Sequence, residues 1–68
     1  MDWLSFIKVM MMDEHAARAK YQLAVDLAPD EGMKAFFARL RDEERVHADF
    51  LETEYAKLEK KLKGAAKS

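Results

Sequence analysis

Glu44 and His47 stand three residues apart in Glu44-Arg45-Val46-His47, and a further carboxylate, Glu14, stands thirty residues before Glu44. A three-residue step on a helix keeps two side chains on one face. Together they offer carboxylate oxygen and imidazole nitrogen, donors that suit iron, manganese or zinc without choosing among them. Paired-metal sites in four-helix bundles take a Glu from each of two helices and a Glu-x-x-His pair from each of the other two. Glu14, Glu44 and His47 are half of that set. Two copies of the chain would complete it, and two divalent cations would then cancel its four carboxylates.

The elements that must position these residues are two helices. Asp2 is a plausible N-cap for the first, which is expected over about residues 2–28, with Trp3, Ile7, Met10, Glu14, Ala17, Tyr21, Ala24 and Ala28 on one stripe. Pro29 disfavours helical geometry at Ala28, and Asp30 can cap the second helix. That helix is expected over about residues 30–63, ending at Gly64 and followed by a flexible tail at 65–68. Its stripe is Met33, Phe36, Phe37, Leu40, Glu44, His47, Leu51, Tyr55, Leu58 and Leu62. Both stripes carry charge where apolar residues belong. With the turn near residue 29, an antiparallel hairpin (1–64) sets Glu14 and Glu44 level, each fifteen residues from the turn. Tyr21 lies two turns beyond Glu14 on the same face, where its hydroxyl could donate to a ligand carboxylate.

The fold class expected is therefore all-α: a two-helix hairpin that dimerises into a four-helix bundle. The chain has 68 residues, two Gly, one Pro and no Cys. Below about 70 residues a single core seldom outweighs chain entropy without disulfides, metal or oligomerisation. Only metal and partner chains remain as staples. A net charge of −1 gives no reason to expect nucleic acid as a partner. Trp3 to Met12 is apolar except for Ser5 and Lys8, yet it falls short of the roughly 20 residues of a membrane span. Asp13-Glu14-His15 then follows, which is no cleavage site, so neither a signal peptide nor a membrane anchor is expected. Because that segment is apolar all round, a single dimer interface would not cover it, and an assembly larger than a dimer is expected.

By itself Glu-x-x-His is a weak signal, and a surface ion pair is the plain alternative. Burying two carboxylates and an imidazole in a bundle costs several kcal/mol per uncompensated charge unless cations balance them.

The run Asp42-Glu43-Glu44-Arg45-Val46-His47-Ala48, with Glu14 thirty residues before Glu44 and Tyr21 seven after Glu14, resembles the ferritin-like superfamily. It looks most like the half-ferritins known as encapsulated ferritins, with the rubrerythrin domain the next relative. The similarity covers roughly residues 10–60. It implies that Glu14, Glu44 and His47 from two chains ligate two irons per dimer, with manganese or zinc as substitutes, and that the site oxidises ferrous iron with oxygen, as in iron storage or detoxification. It also implies a ring-like higher oligomer and a cytoplasmic location inside an encapsulin shell. Two departures stand out. Those ferritins carry paired acidic residues on a metal-access route, where Asp13 fills one position but Ala16 the other. The C-terminal Gly-Ala-Ala-Lys-Ser shows no encapsulin-targeting peptide.

The remaining conspicuous residues have plainer expectations. His15 lies about 100° around the helix from Glu14, toward solvent or a subunit contact. Met10, Met11 and Met12 fill core gaps. Arg41, Asp42, Glu43 and Arg45 form a charged face worth little individually. Two rival functions stay open: rubrerythrin-like peroxide reduction, and a helical assembly module without enzymatic activity whose metal is structural.

Overall fold

Asp2 stops the chain from starting as random coil. Its carboxylate accepts hydrogen bonds from the Ser5 hydroxyl at 2.7 Å and from the Ser5 backbone N–H at 3.3 Å, satisfying an amide that the first helical turn leaves free. From there α1 runs Trp3–Leu27. Ala28 leaves the helix with φ −61° and ψ 134°, the extended geometry that a following proline imposes. Asp30 accepts from the Met33 N–H at 2.8 Å, and α2 runs Glu31–Lys67. Both caps and the turn sit where the sequence places them.

This architecture comes from a computed structural model, which describes residues 1–67. The two helices pack against each other, and there are no strands among the described residues. The hairpin is 58 Å long and 16 by 13 Å across. Because α2 has 37 residues against 25 in α1, its last dozen run about 18 Å past the start of its partner.

The seam between the helices alternates three- and four-residue steps. On α1 the half-buried positions include Leu4, Ile7, Met11, Glu14, Arg18, Tyr21 and Val25; on α2 they include Phe37, Arg41, Glu44, Leu51, Tyr55 and Leu58. Ala48, 3% exposed, is the only described residue that is buried. It sits one turn beyond Glu44, and its methyl group keeps the helices close at that depth.

The single chain leaves part of each stripe uncovered, and two expectations for the end of α2 are corrected. Trp3, Met10, Met33, Phe36 and Leu62, placed on the core stripes by periodicity, are exposed. Both helices carry more apolar surface than one partner can cover, so periodicity marks a broad face and packing selects only one edge of it. The second helix does not end at Gly64. No glycine takes a positive φ, so Gly64 makes no left-handed cap, and with Ala65 and Ala66 beyond it the helix continues. Thus α2 takes in residues 65–67 of the expected tail, and Ser68 lies outside the described residues.

Candidate metal centre

The antiparallel arrangement brings Glu14 and Glu44 to the same depth from opposite helices, and the three-residue step to His47 adds the imidazole. The Nδ1 atom of His47 stands 3.6 Å from Oε2 of Glu14 and 3.8 Å from Oε2 of Glu44. One ligand atom from each of the three residues falls within a cluster no wider than 4.8 Å. All three predicted donors are therefore brought together.

Neither carboxylate–imidazole distance is a hydrogen bond. Oε2 of Glu14 is shut off from water and has no hydrogen-bond partner. An orphaned carboxylate oxygen of this kind costs about 1–3 kcal/mol, more if charged. The donors converge without satisfying one another, as oxygen and nitrogen ligands do around a cation.

Burial around the cluster is lopsided. The Glu14 and Glu44 side chains are 24% and 19% exposed, whereas that of His47 is 60% exposed. The cluster thus lies in the seam and opens on the His47 side. On that side of α2, Phe36, His47 and Phe50 follow one another at helical spacing, and both phenyl rings are exposed. On α1, Trp3 and Met10 share the Glu14 stripe and are exposed as well. Exposed apolar side chains thus share the helix faces that carry the opening.

The other expected participants are placed differently. Tyr21 is half-buried two turns from Glu14, and its hydroxyl does not donate to Oε2 of Glu14, which has no partner. Asp13 is exposed and stands outside the cluster. The charged face on α2 forms ion pairs: Arg39 with Glu43 at 3.2 Å and Arg41 with Asp42 at 3.0 Å. Glu54 pairs with Lys57, while the Asp49 carbonyl accepts from the Thr53 hydroxyl. His15 faces away from the cluster and lines a second cleft with Arg18 and Arg41. Sequence reasoning missed Arg18. A cation beside the stripe through Ala17 and Tyr21 gives no signal in the sequence, and only the structure places it half-buried in the seam.

Comparisons with known protein families, with curated proteins and with solved structures find no match for this chain. No helix is long and apolar enough to cross a membrane among the described residues.

Proposed function

We propose that this chain is half of a ferritin-like four-helix bundle, and that two copies together bind and oxidise ferrous iron at a shared site. The observation that carries this reading is the convergence of Glu14, Glu44 and His47 within 4.8 Å, with one Glu14 oxygen sealed from water and unpartnered. The residues fit the metal: two carboxylates supply charge, the imidazole supplies a neutral nitrogen, and none is satisfied by another protein group.

Glu14, Glu44 and His47 would hold the iron. With oxygen as acceptor, two ferrous ions each give up one electron, and oxygen leaves with two protons as hydrogen peroxide. The chain's own residues set the conditions for that exchange. Glu14 and Glu44 favour the more highly charged ferric product electrostatically. His47, at the exposed edge, closes the donor set from the side where a second copy would dock. Phe36, Phe50, Trp3 and Met10 would exclude bulk water once that copy covers them, strengthening the interaction of the carboxylates with the cations. Tyr21 is a positioning candidate, since its phenol lies within two turns of Glu14 on the same helix face.

Metal analysis of the purified protein, sedimentation, and stopped-flow oxidation of ferrous iron test the reading together. Two irons per dimer and oxygen-dependent oxidation are expected. A monomer that binds two irons overturns it. Peroxide that reoxidises the reduced site faster than oxygen does assigns the protein to peroxide reduction instead. Bound metal with no oxidation assigns it to assembly, with the metal structural.

A further inference from the structure

We propose a second binding site, for a small tetrahedral oxyanion such as inorganic phosphate, in the cleft formed by His15, Arg18 and Arg41 on the other flank of the interhelical seam. The cleft is about 240 Å³ and is completed by Ala19 and Gln22. Arg41 lies about 120° around α2 from His47, so this cleft and the opening of the carboxylate cluster face different directions.

The argument rests on what Arg18 lacks. It occupies a half-buried seam position, its Nε is shut off from water, and that N–H has no acceptor. Arg18 enters none of the ion pairs among the described residues. Glu14, one turn before it, is at the spacing of a helical ion pair, yet its own Oε2 is equally unpartnered. Across the seam stands another cation. The Nε of Arg41 donates to Asp42 at 3.0 Å, and its Nη1 donates to the side-chain Oε1 of Gln22 at 2.9 Å. Gln22 in turn donates its amide to Asp26 at 2.9 Å. Both nearby acids are therefore engaged on the outer rim, and neither reaches Arg18.

Two guanidinium groups and an imidazole thus line one groove that has no carboxylate among its lining residues. Like charges held together between helices repel, and an unmet N–H adds a desolvation penalty. A single oxyanion accepting from the outer guanidinium nitrogens offsets the repulsion. Guanidinium forks match the spacing of phosphate oxygens and bind them with paired hydrogen bonds. The Gln22–Arg41 bond holds one fork in place, so less side-chain freedom is lost on binding. This site stands apart from the iron proposal, because none of its residues belongs to the carboxylate cluster.

Calorimetric titration of the full chain with inorganic phosphate, at constant ionic strength and both as purified and after chelation, tests the proposal. Saturable binding is expected, one phosphate per chain and unchanged by chelation. Arg18→Gln and Arg41→Gln should each weaken it about tenfold or more, while Lys20→Gln, on the exposed face of α1, should leave it intact. Phosphate should raise the melting temperature of the wild type and not that of Arg18→Gln. If Arg18→Gln fails to fold, Arg18→Lys keeps the charge without the fork and should show the same loss. Binding that survives both arginine substitutions means an adventitious ion only and overturns the site, as does an absence of saturable binding. Binding that vanishes on chelation assigns the anion to the metal and overturns it equally.

Discussion

Glu14 and His47, thirty-three residues apart in the chain, bring a carboxylate oxygen within 3.6 Å of an imidazole nitrogen without forming a hydrogen bond. That proximity depends on the turn at Pro29, which sets the depth of each helix, and on Ala48, which sets their separation. Disturbing either should be felt at the cluster.

Substituting Glu44→Ala should reduce iron binding and ferrous oxidation by more than about a hundredfold, since loss of even a supporting contact at a metal site costs tenfold to a hundredfold. Helix content should hardly change, because the Glu44 carboxylate stands 3.8 Å from His47, beyond hydrogen-bond reach, and alanine is a good helix former. Wild-type oxidation rates from the variant would refute the ligand assignment.

Saturating ferrous, manganous or zinc ions should raise the melting temperature, and chelation should reverse the gain. Metal at about a hundred times its dissociation constant stabilises the folded state by about 2.7 kcal/mol if the unfolded chain does not bind it. Thermal denaturation with and without each ion reads this directly, and no shift for any of them would favour a purely structural helical module.

Replacing Ala48 by leucine should force the helices apart at the one buried position among the described residues. Overpacking of this kind costs about 1–3 kcal/mol. Because Glu44 lies one turn away, metal affinity should fall together with stability, whereas an equally destabilising change at the end of the seam away from the turn should spare affinity. Paired calorimetric and denaturation measurements would separate the two.

Acid should loosen the start of α1 only below the ordinary aspartate range. The hydrogen bond from the Ser5 hydroxyl, followed by that from its backbone N–H, holds the Asp2 carboxyl below its ordinary value of 3.8. A lowered folded value means that the cap's contribution is complete above the unfolded value and is lost as pH falls through the folded one. The Ser5 amide should therefore shift and lose its protection against exchange only below about pH 3.8. Asp2→Asn, which keeps the cap without the titrating group, should abolish that transition.

Phe6 and Val9 are both exposed on the apolar first half of α1, off the stripe that carries Glu14. A second copy of the chain on that face would extend the assembly beyond a dimer. Changing both residues to Glu should cut sedimentation back to the dimer and leave metal binding unchanged. A wild-type protein that stays strictly dimeric at high micromolar concentration with iron bound would rule out this contact.

Element boundaries and the depth of Glu14 and Glu44 were legible in the sequence because they rest on local chemistry: Asp2 and Asp30 as caps, Pro29 as a break, and a fixed rise per residue. Facing was harder. Around Trp3, Phe6, Val9 and Met12 the helix is apolar in most directions, so composition does not say which edge meets α2, and Trp3 and Met10 turn outward where Leu4 and Met11 turn in. Gly64 misled for a related reason: a glycine ends a helix only when the backbone turns left-handed, and there it does not. Arg18 was hidden because a cation in a seam is legible only once the absence of its counter-charge is seen in three dimensions.

Ala48 as the one buried residue among those described also has a calorimetric meaning. Heat capacity of unfolding tracks apolar surface exposed to water, at about 12–15 cal/mol/K per residue for an ordinary globular domain. A lone hairpin that hides so little should fall well short of that range, and its stability curve should be correspondingly flat. The missing heat capacity would appear when chains associate, and it should therefore rise with protein concentration. In thermodynamic terms, most of this protein's interior would be created by the encounter of chains rather than by the folding of one.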